Sequence, residues 1–264
     1  MSETEQRQHD QQLAFYRDNV DGEIEIERPR GYPKPVRYLI HYKLRQLVQL
    51  ARPPRGARAV VLCAGSGMDS EFLVRQGLKV IATDLSIDCL RRAQERARRH
   101  GVAYDLVVAD AQRLPFRDRT ADLAFVHDGL HHLPQPSAAI LEMARVAHTI
   151  ALAEPAQAPL TRLAVRLGIS GDWEDVGNYV YRFTPPQLDR IVGDTGFVRA
   201  GARQHLIYYQ PWSFRIYERL SGRLGFAFFW IAFHIANVLV GRWGNSLKYV
   251  ATRNGAMARR PGTG

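Results

Sequence analysis

The chain has 264 residues, 46% of them hydrophobic, and 36 Lys and Arg stand against 26 Asp and Glu for a net charge of +10. This composition excludes a disordered chain, and the length suits one α/β domain with additions. Only Cys63 and Cys89 are present, which excludes a disulfide framework; the polar start MSETEQRQHDQQ has no apolar signal core, so a cytoplasmic protein is expected. The positive charge leaves nucleic acid, an anionic membrane surface and an acidic substrate open as partners. Its densest stretch, RRAQERARRH, has helical spacing and reads most simply as a solvated helix face.

Residues 1–12 are polar and expected to be mobile. The stretch PVRYLIHYKLRQLVQLA has helical periodicity and opens on a proline, and RPPRGAR then breaks it. From residue 59 short apolar runs alternate with amphipathic segments. The spacing predicts strands over 59–63, 79–83, 104–108, 123–127 and 149–153, and helices over 70–76, 87–100 and 136–147. Such alternation means a doubly wound, mostly parallel sheet, in which ligands sit at the carboxyl ends of the strands.

The first such end is VVLCAGSGMDSEFLVRQGLKVIATD. Gly65 and Gly67 allow a tight turn and close approach of backbone to a ligand, and the helix start that follows favours an anion. The segment comes close to a dinucleotide fingerprint, with Asp84 at ribose distance, so the loop alone leaves NAD and S-adenosylmethionine both open. Asp84 accepts ribose hydroxyls or caps the next helix; Ser86 serves the cap equally well, which frees Asp84 for a ligand.

The later segments ADAQRLPF, ADLAFVHDGLHHLPQP, AILEMARV and YRFTPPQLDRIVGDTGFV resemble those of class I S-adenosylmethionine-dependent methyltransferases, in the branch with quinone-biosynthesis and small-molecule enzymes. The resemblance spans about residues 57–200. It implies a Rossmann-like sheet whose last strand, LKYVATRN, runs antiparallel. It also implies S-adenosyl-L-methionine as cofactor, with Cys63, Ala64, Gly65, Ser66 and Gly67 around its methionine part and Asp84 on its ribose. Leu85 would flank the adenine, with Asp110 and Ala111 at its amino group and His127 near the sulfonium. Two positions depart from the pattern: Val61 stands where the family has an acid, and Cys63 where it has a glycine.

For chemistry, His127, Asp128, His131 and His132 crowd the end of the fourth strand. His127, Asp128 and His131 are the candidate catalytic residues, the first two as general bases. Their spacing matches no standard metal set, and a metal-free reaction is expected. Tyr16, Glu154, Trp173, Tyr179 and Tyr181 are candidate substrate contacts by position alone. The expected organisation is N-terminal tail and lid helices over 1–56, a cofactor-binding core over 57–200 with a lid insertion at 168–183, C-terminal strands with an inserted apolar helix over 201–254, and a disordered tail over 255–264. The apolar stretch FAFFWIAFHIANVLV, 226–240, reads first as a helix buried against the sheet or a partner subunit. A peripheral contact with membrane is the second reading. Methyl transfer to a small molecule, apolar or lipid-linked, ranks first. A nucleic-acid methyltransferase ranks second, for want of an RNA-binding module or an Asn-Pro-Pro-aromatic motif. A non-catalytic S-adenosylmethionine-binding protein ranks third, suggested by Val61 and Cys63.

Overall fold

A computed structural model describes residues 14, 21–168, 171, 180–209 and 213–254. Tyr16, Trp173, Tyr179 and the tail 255–264 lie outside the described residues, as does most of the expected insertion.

Seven strands form one sheet in the order β3-β2-β1-β4-β5-β7-β6. The first five are β1 (Arg58–Val61), β2 (Lys79–Asp84), β3 (Asp105–Val108), β4 (Ala121–His127) and β5 (Ala147–Pro155), and their pairings are parallel. Antiparallel pairing joins β7 (Ser246–Arg253) to β5 and to β6 (Phe197–His205). The chain order reverses between β1 and β4, so the crevice at their carboxyl ends is the switch point where doubly wound sheets bind ligands. The expected fold class is therefore the observed one.

Helices cover both faces. On one side lie α1 (Gly22–Glu27), α2 (Lys34–Ala51) and α3 (Met68–Arg75), followed around the edge by α4 (Ile87–His100); on the other lie α5 (Pro136–Val146) and α7 (Pro185–Gly193), while α6 (Pro159–Arg166) follows β5, mostly exposed, beside Gly241–Trp243. The N-terminal α2 is not a lid helix. Its Val36, Ile40, Leu44 and Leu47 are buried with Val61, Phe125, Ala151 and Val250 of the sheet, so it is a structural layer of the core. Burial of four such side chains contributes on the order of 6–12 kcal/mol of transfer free energy before entropy is counted.

Two expectations at the C-terminal end are corrected. The C-terminal strands expected over 201–254 begin earlier, with β6 at 197–205. Its sequence FVRAGARQH is polar because β6 is the outer strand of the sheet and most of its side chains meet solvent, so no apolar alternation marks it. Ile207 instead packs with Leu39 and Phe233 beyond the sheet. The apolar stretch is a helix, but a longer one than 226–240, and it is not buried against the sheet. After the short α8 (Phe214–Arg219), α9 spans Arg223–Val240, and Phe233 is its one buried residue.

Candidate active site

The loop after β1 follows from its glycines. Gly65 and Gly67 have φ of +51° and +79°, in the left-handed region. A side chain at Gly67 would collide with the Tyr104 hydroxyl, so only glycine fits there; a Cβ on Gly65 would enter open space, leaving the loop's backbone accessible. Cys63, where the resemblance implied a glycine, also sits at φ +50°; a non-glycine residue costs about 1–2 kcal/mol in this region. Burial, with Asp84, Glu154 and Asp110 nearby, pushes the Cys63 thiol well above its ordinary range, which disfavours the thiolate.

Asp84 ends β2 and turns back on this loop. Its Oδ2 accepts from the Gly65 N–H at 2.9 Å and its Oδ1 from the Ser86 N–H at 2.9 Å. Ser86 caps α4 through the Cys89 N–H, as expected, so the carboxylate is not the side-chain cap. Burial raises the Asp84 carboxyl, against the pull of these backbone donors. A carboxylate offers about four lone-pair positions, so two donors leave acceptor capacity for hydroxyls. Leu85 is half-buried beside it, and Ala111 is buried next to Asp110 after β3. Asp110 Oδ1 accepts from the Gln112 N–H at 2.8 Å, which fixes that turn.

Ser66 is buried under α1, where its hydroxyl donates to the Glu25 carbonyl at 2.9 Å. The cover is pinned from below. Arg96 of α4, fully buried, donates to the carbonyl of Ile26 at 2.9 Å and pairs with Glu71 of α3 at 2.9 Å. Arg30 and Arg75 also bond Glu71. Burial opposes ionisation of Glu71, but these guanidinium groups outweigh it and bring its carboxyl down to about 2. The segment 21–30 is thereby fastened over the glycine loop.

At the end of β4 the four crowded residues separate into distinct roles. His127 is buried with Nδ1 3.1 Å from an oxygen of Asp69 in the first turn of α3. An ionised carboxylate only accepts, so Nδ1 carries the proton there. Nε2 has no hydrogen-bond partner among the described residues, although Asp128 Oδ2 lies 3.3 Å away in poor geometry. His131 Nδ1 lies 2.6 Å from Glu154 Oε2, and Glu154 Oε1 accepts from the N–H groups of Gly129 and Leu130. Glu154 is fully buried, so its expected substrate contact is corrected: both its oxygens hold the loop after β4. His131 is engaged in the same bracing and stacks at 4.1 Å from His132.

Asp128 is corrected as well. Its partly buried carboxylate pairs with the buried Lys43 of α2 and accepts from the Tyr209 hydroxyl at 3.4 Å. Burial alone would raise its carboxyl, but the Lys43 ammonium, with His127 and His131, holds it well below the carboxylate range. A group so firmly ionised is a poor proton acceptor. Lys43 in turn is kept charged, Asp128 outweighing its burial. Tyr181 is exposed just before Phe183, which bonds to Pro155 and Gln157 at the carboxyl end of β5. Among the described residues no cluster of His, Cys, Asp and Glu is arranged to hold a metal ion.

Asp69 and Lys43 escaped the sequence reading. Lys43 had a signal: it interrupts the buried stripe 36, 40, 44, 47 of α2, where a charge needs a partner. Asp69 had none beyond standing in the first helical turn after Gly67.

The residues present suit a nucleoside-bearing cofactor. The open face at Gly65, the remaining acceptor sites of Asp84 and the His127 ring lie along the carboxyl ends of three adjacent strands.

Residues 61–149 match a methyltransferase domain family. The demethylmenaquinone methyltransferase of Thermobifida fusca is 39% identical over 94 residues, 34% of this chain and 39% of that protein. That of Renibacterium salmoninarum is 35% identical over 91 residues, 34% of this chain and 37% of that protein. The chain thus spans under two fifths of the length of these curated relatives. Among solved structures, a magnesium protoporphyrin IX methyltransferase from Synechocystis with bound S-adenosylhomocysteine has a TM-score of 0.62 at 19% identity, covering 91% of this chain and 97% of that one. A SAM-dependent methyltransferase from Thermotoga maritima has a TM-score of 0.60 at 17% identity, covering 92% and 100%. These structural likenesses establish a common fold.

Proposed function

We infer that this chain, with a class I methyltransferase domain over 61–149, is an enzyme that transfers a methyl group from S-adenosyl-L-methionine to a small molecule. The observation that carries the reading is the meeting of the Gly65–Gly67 turn, Asp84 and His127 at the carboxyl ends of adjacent strands, with His127 Nε2 making no hydrogen bond among the described residues.

Asp84 would hold the ribose and the backbone at Gly65 the methionine part, with Asp110 and Ala111 near the adenine. The cofactor supplies a sulfonium methyl already activated for attack. What remains for the protein is to align an acceptor and keep water out. Asp69 fixes the His127 ring so that Nε2 faces away from it and takes a proton from an acceptor hydroxyl, amine or acidic carbon. Glu154 and His131 act one step removed, holding the backbone from which His127 and Asp128 project. The cover of segment 21–30 over the loop closes the cofactor side from solvent.

The finer form of this reading is an apolar or lipid-linked acceptor, met at a peripheral membrane contact through 226–240. It draws support from the demethylmenaquinone methyltransferases matched over a third of this chain and from the exposed apolar side chains of α9. We place the reaction in the cytoplasm, where both cysteines, free in the structure, stay reduced. The test is label transfer from methyl-labelled S-adenosylmethionine to a fractionated cell extract. Label should enter the organic-soluble, small-molecule fraction. Label found only in RNA or DNA would move the chain to the nucleic-acid class, and no transfer to any fraction would favour binding without catalysis.

A further inference from the structure

The outward face of α9 is an unpartnered apolar stripe. Leu224, Phe228, Ile231, Ile235 and Val238 recur at intervals of four and three residues, so they share one side of the helix. All five are exposed, Leu224 at 89% and Val238 at 85%. Leu239, Trp230 and Trp243 are exposed beside them.

The opposite face is fastened to the protein. Phe226, Phe229 and Phe233 pack edge-on against Tyr38 of α2, whose hydroxyl lies 2.7 Å from His234 Nε2. Asn237 Oδ1 accepts from the Leu206 N–H at 2.8 Å, and its Nδ2 donates to the Leu206 carbonyl at 3.1 Å. The segment Arg223–Trp243 is long and apolar enough to cross a membrane. A helix held along its length by α2 and by residue 206, however, presents one face only.

Charge decides what covers that face. Arg215, Arg219 and Arg223 are exposed at its start and Arg242 at its end, and Glu218 is the one acidic residue between 213 and 243. Aligning α9 with a second copy, parallel or antiparallel, brings arginine against arginine and offers no carboxylate on the helix to answer it. An anionic bilayer answers all four arginines at its headgroups and takes the apolar stripe into its outer hydrocarbon layer. Arg242 already stacks on Trp243 at 4.1 Å, a pairing suited to that boundary.

We propose that α9 is a monotopic docking helix that seats this protein on an anionic membrane surface, with Leu224, Phe228, Ile231, Ile235 and Val238 inserted and the four arginines on lipid headgroups. The proposal deepens the reading of an apolar acceptor, because α2 carries both the Tyr38 contact to α9 and the Lys43 pair at the active site. The surface itself is argued without any reaction.

The experiment is co-sedimentation of the full chain with phosphatidylcholine vesicles, plain or with about 30% phosphatidylserine. The anionic vesicles should bind about tenfold or more tightly than the neutral ones, and high salt should erode the difference. The Ile231→Glu/Ile235→Glu variant changes only exposed side chains and should keep its circular dichroism while losing about tenfold or more in vesicle binding. Arg219→Gln/Arg223→Gln/Arg242→Gln should remove the anionic preference and leave weak binding to both vesicles. Absence of vesicle binding, or equal binding by wild type and the double glutamate variant, overturns the proposal. A dimer in lipid-free buffer that the glutamate variant disperses also overturns it, in favour of a second copy. No methyl transfer is read, so either result leaves the proposed reaction to its own test.

Discussion

The imidazole of His127 stands with Nδ1 3.1 Å from the Asp69 carboxylate, joining the end of β4 to the first turn of α3. The contact ties the proton-accepting candidate to the helix that begins at the glycine loop. Cofactor loop and base are therefore positioned by one rigid junction. Replacing His127 with Asn should lower turnover by about a hundredfold or more while S-adenosylhomocysteine affinity stays nearly constant. The acid limb of the pH–rate profile should vanish. Asp69→Asn should lower kcat by about tenfold to a hundredfold with KM little changed, and keep an acid limb shifted in position. Normal turnover in His127→Asn would remove this residue from the mechanism.

Lys43 is buried and Asp128 only partly so where they pair between α2 and the loop after β4, and removing one partner strands the other. Lys43→Met should destabilise the fold by about 3–5 kcal/mol in denaturant titration. Adding Asp128→Asn should restore much of that, because asparagine tolerates the φ of +51° at this position and carries no charge. Equal stability of the single and double variants would show that Lys43→Met leaves no costly unpaired charge at Asp128.

Glu71 supplies a pH dependence. Its carboxyl is lowered from 4.5 to about 2 in the fold, so the unfolded chain binds its proton at higher pH than the native one. The stabilisation is complete above about pH 4.5 and is lost as pH falls toward about 2. Glu71→Gln should cost about 3 kcal/mol at neutral pH. Its stability deficit relative to wild type should shrink through that acid window. A deficit constant with pH would mean that the cover over residues 21–30 is held by packing alone.

Much of the fold was written in local pattern. The runs that became β1, β4 and β5 are mostly buried, and Ile87–His100 begins at a Ser cap and ends at a glycine in the left-handed conformation, so both were legible. The outer strand β6 was not, because an exposed strand has no need of apolar alternation. The cofactor loop was legible for the same reason as the strands: glycine at 65 and 67 answers a local backbone demand. The chemistry at the end of β4 was only half legible. Residue type placed His127, Asp128, His131 and Glu154 at the right edge, but their roles depend on partners far away in sequence. Lys43 neutralises Asp128 across 85 residues, and Asp69 meets His127 across 58. No window along the chain contains those pairs.

The proposed site for S-adenosylmethionine lies at the carboxyl ends of β1, β2 and β4. Titration calorimetry with S-adenosylhomocysteine and with NAD, on the wild type and on Asp84→Ala, tests it most directly. S-adenosylhomocysteine should bind and NAD should not. The substitution should weaken binding by about 1.5–3 kcal/mol, the worth of a hydrogen bond to a charged group. Preferential binding of NAD, or S-adenosylhomocysteine affinity indifferent to Asp84→Ala, would contradict the account.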